Sequence, residues 1–267
     1  MKIGIVGCGG RMGQMLIREV LATPECRLVG GTARSDSPAL GRDIGLLLGE
    51  EAVGMVVHDD PVALFAEADV VIDFTSPEGT ERHAALAAQG KTVHIVGTTG
   101  LKPHHAAALQ AAAHHVPVVC APNMSLGVNL LMGVVEQVAR RLGPDFDIEI
   151  LEMHHRHKVD APSGTALGLG QAAAAGRGVA LADVSDRGRD GVTGPRAAGA
   201  IGFAVLRGGD VVGDHTVVFA AEGERIELGH KASSRQIFAR GAVRAALWAR
   251  TQPPGLYSMR DVLGLRG

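Results

Sequence analysis

Hydrophobic positions in the first 125 residues fall in short unbroken runs that alternate with segments of helical period. KIGIV (2–6) is apolar and β-branched, and RMGQMLIREVLA (11–22) follows it with Met12, Met15, Leu16 and Val20 near helical spacing. Further apolar runs predict strands at CRLVGGTA (26–33), VGMVV (53–57), DVVIDFT (69–75), KTVHIVG (91–97) and VPVVCA (116–121), most of them separated by helices. Ser76 and Pro77 read as the N-cap and first residue of a helix that runs through EGTERHAALAAQ and ends at Gly90. Strands that are apolar throughout are buried on both faces, so the alternation predicts an α/β, Rossmann-type doubly wound parallel sheet.

The pattern changes after the helical stretch SLGVNLLMGVVEQVARRLG. GPDFD breaks the chain, and DIEILEMHH then reads as a strand. The runs at 201–209, 214–223 and 224–232 are joined by short turns and predict neighbouring strands of a mixed or antiparallel sheet in a second, α+β domain. Before them lies DVSDRGRDGVTGPRAAG, a loop rich in glycine and charge whose predicted intrinsic order is low. The amphipathic stretch SSRQIFARGAVRAALWAR is expected to return to the first domain. The boundaries are therefore 1–126 and about 233–267 for one domain, and 127–232 for the other.

Composition narrows what such a chain does. Its 267 residues are 46% hydrophobic and 20% charged, enough apolar content for two packed cores. With 26 Lys and Arg against 28 Asp and Glu, and only 3% aromatics, nucleic acid is not an expected partner. No apolar stretch reaches the roughly 20 residues that span a bilayer, so no membrane association is expected. Glycines interrupt MKIGIVGCGG before a signal-peptide core forms, which makes it structure rather than address. Cys8, Cys26 and Cys120 lie far apart without metal-ligand spacing, which suits a reducing compartment and points to the cytoplasm.

Three turns carry candidate chemistry in the first domain. GCGGRMG, after the first strand, fits G-x-x-G-x-x-G at Gly7, Gly10 and Gly13. Such a turn lets backbone N–H groups approach a pyrophosphate at a helix N-terminus; the plainer reading is a tight turn with close helix packing. Cys8 reads as a turn residue rather than a nucleophile. At the end of the second strand, GGTARSDS puts Ala33 and Arg34 where the adenosine ribose is met, favouring NADPH over NADH. VGTTGL (96–101) and APNMSLGVN (121–129) follow strands at their carboxyl ends, where ligands bind in such sheets, and are expected to face the nicotinamide. Each alone also reads as a polar turn capping the next helix.

The second domain holds EMHHRHKVDAPSGTA. Its five consecutive potential cations, His154, His155, Arg156, His157 and Lys158, repel one another and call for an anionic partner. A continuing strand would put His154, Arg156 and Lys158 on one face. No metal is expected, because a third ligand is lacking and Arg156 and Lys158 would repel a divalent ion. A solvated cationic turn is the plain alternative. Against it, Pro162 and Ser163 lead into a helix at Gly164 and Thr165, whose open N–H groups complete a cradle for carboxylates beside side chains able to move protons.

These segments, with DFTSPEGT, RGGDVVGDHTV and SRQIFARGA in the same order, resemble the 4-hydroxy-tetrahydrodipicolinate (dihydrodipicolinate) reductases of lysine and diaminopimelate biosynthesis over nearly the whole chain. The resemblance implies NAD(P)H-dependent reduction of a cyclic dicarboxylate bound between the domains, and a homotetramer joined through the second domain. It implies that His154 is the catalytic acid/base and Lys158 the proton donor, with His155, Gly164 and Thr165 on the substrate. The nucleotide would meet Gly7, Cys8, Gly9, Gly10, Arg11, Met12, Gly97, Thr98, Thr99, Ala121, Pro122, Asn123 and Met124. Many relatives carry an acidic residue where this chain has Ala33, which weakens the expectation of strong NADH use. A dehydrogenase of another amino-dicarboxylate such as aspartate, and a non-catalytic NADP-binding sensor, are the alternatives.

Overall fold

The computed structural model describes residues 1–265. The chain divides into two compact units, Met1–Leu126 with the segment from Gln236 onward, and Gly127–Arg235.

The first unit contains β1 (Lys2–Val6), α1 (Arg11–Ala22), β2 (Arg27–Thr32), α2 (Ile44–Leu47), α3 (Pro61–Glu67), β3 (Val70–Asp73), α4 (Pro77–Gly90), β4 (Val93–Val96), α5 (Pro103–Ala112), β5 (Pro117–Cys120) and the first residue of α6 (Leu126–Leu142). The second contains the rest of α6, β6 (Asp147–His154), α7 (Gly164–Arg177), α8 (Leu181–Val184), β7 (Ser185–Asp186), β8 (Ile201–Arg207), β9 (Gly213–Ala221) and β10 (Glu224–Ala232). The chain then re-enters the first unit with α9 (Gln236–Ala249), β11 (Gly255–Tyr257) and α10 (Met259–Val262).

The first sheet is parallel throughout, in the order β11-β5-β4-β3-β1-β2. Its strands alternate between two cores. Ile3, Ile5, Ile72 and Ile95 pack with α1 and α9 on one face, while Val6, Val71 and Val96 pack with α3, α4 and α5 on the other. This double burial is why the strands read as unbroken apolar runs. The strand order reverses between β1 and β3, making their carboxyl ends the switch point of the fold. Ser76 caps α4 through Gly79 N at 3.2 Å, with Pro77 as its first residue. The helix includes Gly90, and the left-handed C-terminal residue is Lys91 (φ 54°).

One predicted strand is absent. Residues 53–57 form only an isolated bridge between Val56 and Asp43. The Asp43 carboxylate accepts from Val53 N (3.0 Å) and Gly54 N (2.8 Å), which occupies donors a sheet would need. Conversely, β11 was not anticipated, being a three-residue strand added beside β5.

The second sheet is mixed, in the order β10-β9-β6-β8-β7. β8 and β9, expected to be neighbours, are separated by β6, which runs parallel to β8 and antiparallel to β9. β9 and β10 form the hairpin, turning at Gly223 with φ +83°. One face, carrying Ile148, Ile150, Ile201, Phe203, Val217 and Phe219, packs with Leu131 and Val135 of α6 and Leu169 and Ala173 of α7. The loop before β8 is better tied than its composition suggests. Arg196 reaches Asp147 (2.7 Å) and Glu149 (2.9 Å), and Arg189 reaches Glu149 and Asp186 (both 2.7 Å). Arg189 and Arg196 are anchors rather than solvated decoration.

Candidate active site

The cofactor candidates collect at the carboxyl ends of parallel strands, where helix N-termini also lie. The first turn tests whether a dinucleotide fits. Gly7 has φ +71°, a Cβ on Gly13 would stand 2.3 Å from Gly7 O, and Gly10 is the N-cap of α1 with no side-chain capping hydrogen bond. Glycine therefore gives both the tight turn and an open positive helix end, as a pyrophosphate requires. Arg11 is exposed and Met12 half-buried in that first turn. Cys8 is fully buried, its N–H donates to Thr32 O (2.9 Å), and burial pushes its thiol up to about 11. It is a packing residue with no nucleophilic character.

Arg34 lies beyond β2, largely exposed, 3.3 Å from Asp36. Gly97, Thr98 and Thr99 follow β4; a Cβ on Gly97 would strike the Phe74 ring at 2.3 Å, so only glycine allows that loop to lie on the aromatic. Ala121, Pro122, Asn123 and Met124 follow β5. Pro122 is exposed and Asn123 half-buried, whereas Met124 is in the core, and its carbonyl lies where α9 can approach only through Gly241.

In the second unit, alternation along β6 puts Ile148, Ile150, Glu152 and His154 on the inward face. The strand ends at His154, so the pattern expected of a continuing strand does not extend to Arg156 and Lys158. A turn replaces it, with Lys158 N donating to His155 O (3.1 Å). Glu152, 2% exposed, accepts from His154 Nδ1 (2.6 Å), from both Nη atoms of Arg207 (2.8 and 3.0 Å) and from Ser163 N (3.0 Å). Burial pushes its carboxyl up, but the hydrogen bonds from Arg207, His154 and Ser163 outweigh burial and hold it below its ordinary value. A carboxylate on Nδ1 keeps the proton there and leaves Nε2 for a ligand. That nitrogen is turned toward Gly213, where a Cβ would stand 2.9 Å from it.

Lys158 Nζ pairs with Asp160 at 2.8 Å. Partial burial and then the charges of Arg235, His154, His157 and Lys158 push His155 down, the repulsion the sequence implied. Ser163 caps α7 through Ala166 N (3.1 Å), and exposed Gly164 with half-buried Thr165 forms its first turn. His215 contacts Ser163 Oγ through Nε2 (3.0 Å) and meets the His154 ring edge-on at 5.1 Å. Burial, helped by charge at His154, pushes His215 down to about 4.

Sequence reading passed over Glu152, Arg207 and His215 here, and Asp73, Thr75, His83 and His94 in the first unit. Glu152 had a signal: it is a charged residue at an inward position of an alternating strand. Asp73 likewise ends an otherwise apolar strand. Arg207 and His215 stand in RGGDVVGDHTV, a segment that carries the resemblance, but nothing local marks their meeting with Glu152 and His154, since β8 and β9 meet β6 only in the folded sheet. Among the described residues, one group, Glu81, His104 and His105, has metal-ligand proximity. Lys102 N donates to His105 Nδ1 (3.0 Å), which keeps the neutral ring's proton on Nε2, the nitrogen that faces Glu81 at 3.9 Å. That arrangement is a hydrogen-bonded cap, not a ligand set.

A doubly wound sheet with a glycine turn at its switch point, carried on one chain with a carboxylate-oriented histidine beside a helix N-terminus, defines a nicotinamide-dependent oxidoreductase. Known proteins narrow the class. The family profile described as "Dihydrodipicolinate reductase, N-terminus" matches residues 1–124, and "Dihydrodipicolinate reductase, C-terminus" matches 127–263. The chain is 60% identical over 263 residues to the 4-hydroxy-tetrahydrodipicolinate reductase of Dinoroseobacter shibae, covering 98% of each chain. It is 58% identical to that of Brucella abortus over 266 residues, covering 99% of each. Among solved structures, it is similar to the dipicolinate-bound dihydrodipicolinate reductase of Paenisporosarcina sp. TG-14 (TM-score 0.79, 26% identity, 98% of each chain). The chain belongs to the dihydrodipicolinate reductase family.

Proposed function

We propose that this protein reduces 4-hydroxy-tetrahydrodipicolinate to tetrahydrodipicolinate in lysine and diaminopimelate biosynthesis, with NADPH as the preferred donor. The observation that carries the reading is the Glu152–His154 pair at 2.6 Å, closed from behind by Arg207 and placed next to the start of α7. The bound reduced nicotinamide supplies a hydride. The chain's own residues bind the dicarboxylate and manage protons. His155 and the first turn of α7 at Gly164 and Thr165 receive carboxylate oxygens. Lys158 steadies developing negative charge and donates a proton, while His154 acts as acid/base at the same centre. Hydride and proton enter the substrate, and its 4-hydroxyl leaves as water. The test is NADPH oxidation with the product of the preceding synthase generated in situ, set beside NADP+ reduction with aspartate as the alternative substrate. Turnover of aspartate alone would overturn the reading.

In this reading residues 1–126, with the returning C-terminal segment, bind the dinucleotide through Gly7–Met12, Gly97–Thr99 and Ala121–Met124. Arg34 faces the 2′-phosphate. Asp36 competes for the same guanidinium, so the preference for NADPH is a matter of degree. Residues 127–232 bind the substrate and assemble a homotetramer. Supporting this, the second sheet's outer face shows Leu151 (38% exposed) and Leu206 (53%), with the helices α6 and α7 packed on the other face. Light scattering tests it, and a monomer at micromolar concentration would remove it. No helix among the described residues is long and apolar enough to cross a membrane. The three cysteines are free, and a cytoplasmic location is proposed on that ground.

A further inference from the structure

Asp73 ends β3 with no solvent exposure, yet its two oxygens serve different groups. Oδ2 accepts from His83 Nδ1 of α4 (2.9 Å) and His94 Nε2 of β4 (3.2 Å). Oδ1 accepts from Thr75 N (3.0 Å), Thr75 Oγ (2.6 Å) and Thr98 Oγ (3.3 Å). Phe65 seals the histidine side, stacked on His83 and edge-on to His94. Burial pushes this carboxyl up, but the hydrogen bonds and charge of the two histidines outweigh it and hold the group ionised.

The threonine side leads to the switch point. Thr98 Oγ also accepts from Thr75 N (3.1 Å) and from Thr80 Oγ (2.8 Å), so the loops after β3 and β4 share one network. The Thr75 methyl stands 2.8 Å from where a Cβ on Gly7 would be, and the Phe74 ring lies on Gly97. One carboxylate thus reaches, directly or through Thr75, the glycine turn and the loop at 97–99. A buried charge is a poor choice for stability alone, since apolar replacements are often no worse. Its use here is geometric.

We propose that Asp73 is a positioning residue for the nicotinamide end of the cofactor site: Oδ1 sets the spacing of the loops after β3 and β4. The proposal rests on the assignment of residues 7–12 and 97–99 to the dinucleotide. It is tested with Asp73→Asn, Thr75→Val, Thr75→Ser and Thr99→Tyr, by fluorescence titration with NADPH and with 2′,5′-ADP, which carries the adenosine half alone, and by steady-state kinetics. Asp73→Asn and Thr75→Val are expected to raise the NADPH Kd about 10-fold, the scale of one hydrogen bond to a charged group. Affinity for 2′,5′-ADP should stay within about twofold, KM for NADPH should rise more than kcat falls, and Thr75→Ser, which keeps the hydroxyl, should bind NADPH as the parent does. Thr75 is exposed, so its variants decide the matter if Asp73→Asn does not fold. Unchanged NADPH affinity in Thr75→Val while Thr99→Tyr weakens it overturns the role of Asp73 and keeps the loop assignment. A silent Thr99→Tyr overturns both. Parallel loss of 2′,5′-ADP, or failure of Thr75→Ser to rescue, would make Asp73 merely structural.

Discussion

Each unit contains a buried carboxylate bonded to histidine, and the two are compensated differently. Asp73 meets two histidines, two threonine hydroxyls and a backbone N–H; among the described residues, its hydrogen-bond partners include no lysine or arginine. Glu152 meets one histidine, one backbone N–H and a bidentate arginine. A guanidinium never loses its charge, so His154 can gain or lose a proton without leaving Glu152 buried and unpaired. At Asp73 the charge rests on histidines and neutral donors, an arrangement suited to holding loops still. Under the two proposals the same pairing of Asp or Glu with His serves chemistry in one unit and geometry in the other, and the third partner makes the difference.

The sharpest way to break this comparison is to ask whether the two clusters control different kinetic constants. His154→Gln and Lys158→Ala are each expected to lower turnover by roughly 100-fold or more, the scale of a positioned acid or base, with NADPH affinity nearly unchanged in fluorescence titrations. Glu152→Gln should act in the same sense but less, by roughly 10-fold, because the ring remains while its orientation is lost. If Glu152→Gln instead weakened NADPH and spared turnover, the division between the clusters would collapse.

Acid separates the units next. His215 is held neutral down to about 4 against an ordinary 6.5. Between those values the unfolded chain takes up a proton that the folded chain refuses, so stability falls as pH drops through that window, by at most about 1.4 kcal/mol per pH unit. The lowered carboxyls of Asp73 and Glu152 add their losses only below their ordinary values of 3.8 and 4.5. Hydrogen exchange should therefore show β6 and β9 losing protection at higher pH than β3 and β4, and His215→Asn should remove the early loss.

Arg34→Ala probes the first unit away from both clusters. KM for NADPH is expected to rise up to about 10-fold while that for NADH stays level, because an exposed charge pair is worth little more than this. Equal losses would show that Arg34 reads something other than the phosphate. The smallest effect belongs to His157→Gln, expected to change turnover by less than about threefold, since His157 lies exposed on the turn and outside the Glu152 network.

The order of elements in the first unit was legible because strands buried on both faces leave an unbroken apolar signature, and because Ser76–Pro77 and the glycine turn mark helix starts through local backbone chemistry. The motif from His154 to Thr165 was legible for the same reason: its residues are near neighbours in the chain. Residues 53–57 misled because their apolar content said nothing of Asp43, which takes their N–H groups from a distance of ten residues or more.

By itself, then, the sequence determined the parallel sheet, the glycine turn, the capped helices and the gathering of cations that demands an anion, all consequences of periodicity and short-range contacts. Only the tertiary structure decided that β6 lies between β8 and β9, and with that order came Arg207 behind Glu152 and His215 beside His154. It also decided that Thr75, Thr98, His83 and His94 meet on one carboxylate. Strand order and side-chain networks are set by burial and hydrogen bonding between segments far apart in the chain, and no local pattern encodes which distant donor will arrive at a buried acceptor.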